Sequence, residues 1–394
     1  MPGAPLHVDS FLAASPPPSP DRELDQAMLR AYSIERMVDY GCALEDVLKL
    51  RRRVEAGHAW PDVARLLADD NEVRAEAAAS AGQSATATRY LLHAAACCRV
   101  AQASLEEEPA QRLAVYERQA RLFRAALRPA PGTGSDYFEV RHHGASHAAW
   151  LFPAATLSSG GPAVVVWGGA DGWCEAFHAG VSAYLERGLS VCLLELPGQG
   201  LARLRHGSFL QPDFTRLVSA TLDALVERGA DPQRLGVAGH SAGGALTLAA
   251  AAADDRIRAC CSNGSSDQLL RGLQKFPRVL QRFGRMLGAG AGAGAGAGVG
   301  VGEAEVAAFF DAVDLTQAAR RMRASLLCLH GGQDPLVTDE EMHRLVARRG
   351  ADAATLEAWP EGGHCLYNHA AERNGVIAGW FAHQLAPAAS RSHP

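Results

Sequence analysis

The chain has 394 residues, 48% hydrophobic and 21% charged, with a formal net charge of -5. That length allows one large domain or two smaller ones with a sizeable core. The charge balance gives no case for binding nucleic acid or an anionic membrane, and no apolar run approaches the ~20 residues that span a bilayer. No basic stretch followed by an apolar core opens the chain, so no secretory signal is read there. Nine cysteines, with adjacent pairs at Cys97-Cys98 and Cys260-Cys261 and no Cys-x-x-Cys, suit neither a disulfide framework nor a zinc site. Buried thiols in a reducing cytoplasm are expected, and the Asn263-Gly264-Ser265 sequon then has no meaning.

Residues 1–20 are rich in Pro, Ser and Ala and read as a disordered tail. From 21 to 130 the pattern is helical throughout: Ile34, Met37, Val38, Leu44, Val47, Leu48 and Val54 recur at three- and four-residue spacing. Pro61 suits a first helical turn, and a last helix follows Pro109. His58, Tyr90 and His93 in this unit read as packing or capping residues.

The stretch Pro129 to Gly134 is a boundary, and residues 131–394 have an α/β texture. Strands are predicted at Tyr137 to Arg141, Ala148 to Phe152, Ala163 to Trp167, Ser190 to Leu194, Arg234 to Ala238, Arg256 to Cys261, Ser325 to His330 and Ala354 to Trp359. Helices between them, such as His178 to Arg187 and Asp213 to Arg228, imply a mostly parallel sheet covered on both faces. Residues 262–324 form a lid-like insertion with an amphipathic segment, Leu269 to Leu287, and a flexible Gly/Ala run over 288–302. That run lacks the three-residue step of a dinucleotide fingerprint.

Chemistry concentrates at Gly239-His240-Ser241-Ala242-Gly243, a Gly-x-Ser-x-Gly turn between an apolar run and an Ala/Leu-rich helix. There Ser241 would sit on a strained elbow as a nucleophile, with the Ala242 N–H facing a developing oxyanion. The bland alternative is a glycine-rich turn with an N-capping serine. A serine needs a base and the base an orienting acid. Chain order then selects Asp334, after the strand ending at Gly331-Gly332, and His364, in the loop Trp359-Pro360-Glu361-Gly362-Gly363. His240, His330 and His369 are rival bases that fit this order poorly. A second oxyanion donor, the N–H of Gly169 or Ala170, comes from the turn after Trp167. Asp171 and Glu175 follow it, either as helix-start carboxylates or as one accessory acid beside the serine.

These residues carry a resemblance. Tyr40-Gly41 with Trp60, Gly168-Gly169-Ala170-Asp171 with Glu175, Leu196-Pro197-Gly198-Gln199-Gly200, the elbow, Asp334 and His364 together resemble the FrsA-like branch of α/β-hydrolases. The likeness covers about Ala31 to Phe381. It implies a helical N-terminal cap on an α/β-hydrolase core, a small-molecule substrate held between the two, a homodimer, and an acid near Asp171 or Glu175 assisting the serine. Such enzymes cleave a carbon–carbon bond beside a ketone, or an ester, in bulky ring-bearing molecules, while relatives of tetronate biosynthesis eliminate acetate instead. Two departures are the long Gly/Ala run and Glu195, where an aspartate is commoner.

The expectation is therefore a cytoplasmic serine hydrolase of polyketide-like or aromatic metabolites in secondary metabolism, needing no metal or organic cofactor. An acetate-eliminating lyase and a catalytically idle binding subunit are the alternatives.

Overall fold

In the computed structural model the described residues are 18–106, 109–127, 134–170, 172–289 and 302–387. The chain divides into two compact units, Met1–Thr133 and Gly134–Pro394.

The first unit is helical: α1 (Arg22–Ala31), α2 (Ile34–Asp39), α3 (Leu44–Glu55), α4 (Trp60–Ser80), α5 (Ser84–Gln102) and α6 (Pro109–Ala126). Asp21 and Ser33 cap α1 and α2 by accepting from the Leu24 and Arg36 N–H groups, and Pro61 lies in the first turn of α4, where its missing N–H costs nothing. Alanines buried along α4 and α5 let these two long helices pack against each other. The Trp60 ring is fully buried and its Nε1 donates to the Val100 carbonyl at 2.9 Å. Of the expected tail, residues 1–17 lie outside the described residues. Pro18 and Ser19 are tied down, by a bridge to His58 and a bond from the Ser19 N–H to the Gly57 carbonyl.

The second unit is built on one eight-stranded sheet: β1 (Asp136–His142), β2 (Ala145–Phe152), β3 (Ala163–Trp167), β4 (Ser190–Leu194), β5 (Leu235–His240), β6 (Ile257–Asn263), β7 (Ser325–Gly331) and β8 (Ala354–Trp359). Their order across the sheet is β1-β2-β4-β3-β5-β6-β7-β8. The strands from β4 to β8 run parallel, and the β1–β2 hairpin joins antiparallel at the β4 edge. Continuous burial along β3, β4 and β5 marks strands covered on both faces. The edge strands β1 and β8 are partly exposed. Ala163, Val165 and Trp167 of β3 join one core with Leu217 and Leu222 of α9 (Thr215–Glu227) and Leu246 of α10 (Ala242–Ala253). α16 (Ala370–Gln384) packs on β6 and β7, and α7 (Val181–Leu185) packs on β4 and against α16. The α/β class and mostly parallel sheet expected from the strand–helix alternation are what the fold shows.

Local details differ from the periodicity. The segment Leu269 to Leu287 is two helices, α11 (Leu269–Gln274) and α12 (Pro277–Met286), because Pro277 pushes Phe276 to an extended φ of -131°. The helix expected from His178 starts earlier, as a 3₁₀ segment at Cys174–Gly180 that leads into α7. Three helices had no clear signal: α8 (Gly200–His206), α13 (Glu303–Val313) and α14 (Leu315–Arg321). α15 (Asp339–Arg349) starts with a capping box of Thr338 and Glu341. Only Gly288, Ala289 and Gly302 of the Gly/Ala run are among the described residues. No described helix is long and apolar enough to cross a membrane.

Candidate active site

Strand order turns around β3, which has β4 on one side and β5 on the other, and ligands of open α/β sheets bind at the carboxyl ends of strands beside such a switch. Ser241 lies there, between β5 and α10, with φ 56° and ψ -134°. A side chain seldom holds that backbone conformation, and each such residue costs about 1–3 kcal/mol. The surroundings enforce it. A Cβ on Gly239 would run into the Gly243 carbonyl oxygen, and the Ser241 N–H donates to the Asn263 carbonyl of β6 at 2.9 Å. As an N-cap the Ser241 side chain makes no hydrogen bond to the helix, so the capping alternative fails.

The hydroxyl instead meets His364. Ser241 Oγ lies 2.9 Å from His364 Nε2, and His364 Nδ1 lies 2.8 Å from Asp334 Oδ2. The second carboxylate oxygen of Asp334 accepts from the Leu336 N–H at 2.8 Å, which leaves Oδ2 to the imidazole. Asp334 favours the Nδ1–H tautomer, and Nε2 then presents a lone pair to the serine. The loops carrying acid and imidazole are stitched together by the Gly332 N–H on the Trp359 carbonyl (2.8 Å) and the Gln333 N–H on the Gly362 carbonyl (2.9 Å). Burial by itself would lower the His364 pKa. The Cys365 sulfur, 3.5 Å from Nε2, and the Asp334 carboxylate outweigh it and raise the pKa above the ordinary histidine value.

Opposite the elbow, β3 ends in Gly168-Gly169-Ala170. A Cβ on Gly169 would stand 2.8 Å from both the Ala242 nitrogen and Ser241 Cβ, so only glycine fits this close approach. Among the described residues the N–H groups of Ala242 and Ala170 make no hydrogen bond. Trp167 Nε1 donates to the Gly243 carbonyl at 2.9 Å and ties β3 to the first turn of α10. Glu175 is buried in the 3₁₀ segment after this loop. Asp171 lies outside the described residues.

The rival histidines are engaged elsewhere. His240 Nδ1 is 2.8 Å from Asn263 Nδ2, its ring stacks on Phe177, and burial with nearby Arg373 drives its pKa well down. His330 Nε2 is 2.7 Å from Asp339, and His369 lies between Glu361 and Glu372. Asn263, the residue of the sequon, is fully buried at the end of β6.

Three supporting groups have roles that the sequence does not announce, although Gln199 and Glu195 stand out in it as motif residues. Gln199 Nε2 donates to the carbonyls of Gly168 (2.8 Å) and Gly169 (2.9 Å), while its Oε1 accepts from the Leu196 N–H. The Pro-Gly-Gln-Gly motif marks the residue, but the bonds depend on β4 lying beside β3. Glu195 accepts from the Leu201 and Ala202 N–H groups (3.1 and 2.7 Å) and holds the start of α8, as a carboxylate at a helix N-terminus should. After His364, Cys365 and Leu366 both have positive φ, 55° and 56°. Arg373 and Asn263 hold this kink through the Cys365 carbonyl, each at 3.1 Å.

A serine on a strained elbow, an imidazole in contact with it, a buried carboxylate behind, and unengaged N–H groups at a helix start and in the loop after β3 can support nucleophilic attack on a carbonyl. Residues 157–374, more than half of the chain, match the family described as "Alpha/beta hydrolase family". A 2,6-dihydropseudooxynicotine hydrolase of Paenarthrobacter nicotinovorans is 27% identical over 236 residues, 59% of this chain and 62% of its own. "Hydrolase acrC" of Aspergillus aculeatus is 38% identical over 107 residues, 26% of this chain and 25% of its own. The chain thus spans about a quarter of the fungal relative and less than two thirds of the bacterial one. The crystal structure of a 2,6-dihydroxy-pseudo-oxynicotine hydrolase shares the fold, with a TM-score of 0.77 at 23% identity over 90% of this chain and 96% of that one. Because the matched span runs from before β3 through the loop that carries His364, the chain belongs to the α/β hydrolase family.

Proposed function

We propose that this protein is a serine-nucleophile hydrolase that cleaves a carbon–carbon bond beside a ketone, or an ester, in a bulky aromatic or polyketide-like metabolite. The observation that carries this reading is the unbroken contact from Ser241 Oγ through His364 to Asp334 on a strained elbow. The names of the relatives support the substrate class, since one acts on a pseudooxynicotine.

Ser241 Oγ attacks the substrate carbonyl as its proton passes to His364 Nε2. The oxyanion is received by the Ala242 N–H and that of Ala170 or Gly169. Asp334 holds the imidazolium. When the carbon–carbon bond breaks, the electron pair leaves on an enolate carbon, and His364 returns the proton to it. For an ester the alkoxide takes that proton. Water, deprotonated by His364, then attacks the acyl-Ser241 ester and releases the acid. Glu175 or Asp171 serves as the accessory acid, and no step requires a metal or organic cofactor. A reducing, cytoplasmic setting fits nine free, buried cysteines, of which Cys98, Cys192 and Cys260 are pushed up to about 12, chiefly by burial.

Intact-mass labelling with a small fluorophosphonate tests the reading. One adduct per chain is expected, absent from Ser241→Ala and much slower in His364→Ala; no adduct on folded wild type overturns it. The placement of His364 Nε2 at the elbow also admits a second reading, in which the imidazole takes a proton from carbon and acetate is eliminated without an acyl-enzyme. Turnover of an acetylated substrate in oxygen-18 water separates the two. Hydrolysis through acyl-Ser241 labels the acetate and elimination leaves it unlabelled.

A further inference from the structure

Far along the chain from Ser241, the tight turn between β1 and β2 consists of His143 and Gly144, with φ 48° and 81°. Successive side chains of a strand point to opposite faces. The left-handed conformation of His143 instead sets its ring beside that of His142, with centroids 4.1 Å apart. Both rings meet Asp213, in the 3₁₀ segment Pro212–Phe214 just before α9. His143 Nε2 lies 2.9 Å from Asp213 Oδ2, and His142 Nε2 lies 3.8 Å from Asp213 Oδ1. One ligand atom from each of the three falls within 4.8 Å of the others. The His142 side chain is only 7% exposed, yet its Nε2 is buried and makes no hydrogen bond among the described residues. An interior group left in that state calls for a water or an ion as its partner.

We propose that His142, His143 and Asp213 form a binding site for a late first-row divalent cation such as Zn²⁺. Two imidazole nitrogens and one carboxylate oxygen make the donor set of a three-ligand tetrahedral site with its fourth position open. Ligand atoms about 2.0–2.2 Å from a tetrahedral centre stand roughly 3.4 Å apart; His143 Nε2 is 2.9 Å from Asp213 Oδ2, and one ligand atom from each of the three residues lies within 4.8 Å of the others, so modest side-chain rotations bring the three onto one ion. Mg²⁺ and Ca²⁺, which take oxygen ligands, are disfavoured by the two nitrogens. An open cavity of about 820 Å³, lined by His206, Ser208 and Gln211 together with His143 and Asp213, gives the open position room for water or an exchangeable anion. A bound cation joins the β1–β2 hairpin to the segment that starts α9, elements about 70 residues apart in the chain, and stabilises the folded state by linkage.

Zn²⁺ titration of the full chain by calorimetry, with Tm measured against Zn²⁺ concentration, tests this. One saturable Zn²⁺ per chain and a Tm that rises with Zn²⁺ are expected. His143→Asn and Asp213→Asn each weaken binding by at least about tenfold and leave fluorophosphonate labelling of Ser241 unchanged. His143 is 58% exposed and asparagine suits a positive φ before glycine, so that variant folds. The chain has 15 histidines. Binding that survives both substitutions unchanged therefore belongs elsewhere and overturns the proposal. Absence of saturable binding to folded protein, the result if only water bridges these groups, overturns it equally.

Discussion

The side-chain nitrogen of Gln199 donates to the carbonyl oxygen of Gly169 at 2.9 Å, and a second bond reaches the adjoining Gly168 carbonyl. In a trans peptide the carbonyl of one residue points opposite to the N–H of the next. Fixing these two oxygens toward Gln199 therefore turns the N–H groups of Gly169 and Ala170 away from it, and these are the two proposed second donors to the oxyanion. One side chain orients both. Gln199→Ala is expected to lower kcat by about 10²-fold with KM nearly unchanged and near-UV circular dichroism intact. A rise in KM at constant kcat would contradict this positioning role.

The pH profile depends on the imidazole. The proposed chemistry needs neutral His364, and the raised pKa means that protonation removes the base at a higher pH than for an ordinary histidine. Activity is therefore expected to rise with pH, with the midpoint of kcat/KM above ~6.5. Asp334→Asn removes the charge that favours the imidazolium, so the residual activity should show a lower midpoint. An acid limb at or below the ordinary value in wild type would refute the assignment.

Backbone strain at Ser241 makes a prediction about stability. Glycine tolerates φ 56° and ψ -134°, whereas alanine keeps the steric cost. Ser241→Gly should be about 1 kcal/mol more stable than Ser241→Ala by urea denaturation, with both variants inactive. Equal stabilities would mean that the elbow relaxes when the hydroxyl is lost.

Gly169→Ala probes the other wall. The added methyl would lie 2.8 Å from the Ala242 nitrogen, against the space proposed for the oxyanion. The variant should lose at least ~10²-fold in kcat/KM. Fluorophosphonate labelling, which needs the same pocket, should slow in parallel; labelling at the wild-type rate would place the oxyanion elsewhere.

Much of the fold is legible because its signals are local. The apolar runs of β3 and β5 with glycines at their ends, and the Gly-x-Ser-x-Gly elbow, are each written within a dozen residues. Asp334 and His364 can be picked out because each follows such a run in a glycine-rich loop. The residues that escape reading act across the sheet. Gln199 becomes meaningful only once β4 is known to lie beside β3. Asn263, which has the look of a surface sequon, is buried because β6 runs between β5 and β7. The insertion resists reading for another reason. Its helices are short, and Pro277 interrupts a periodicity that continues through it.

The backbone bonds that join the strand ends have a consequence for how this protein can change. Ser241 is tied to the end of β6, Gly264 to β7 through the Leu329 carbonyl, and the Asp334 loop to the His364 loop through Trp359 and Gly362. The four helices α11 to α14 leave this rim after β6 and return to it at β7. They are not loose appendages: Leu269, Phe283, Val306 and Leu315 belong to the same core as the sheet, and α14 packs on α10, the helix that starts at the elbow. Change is therefore best tolerated at exposed positions of these helices, where neither the shared core nor the bonds between the strand ends are touched.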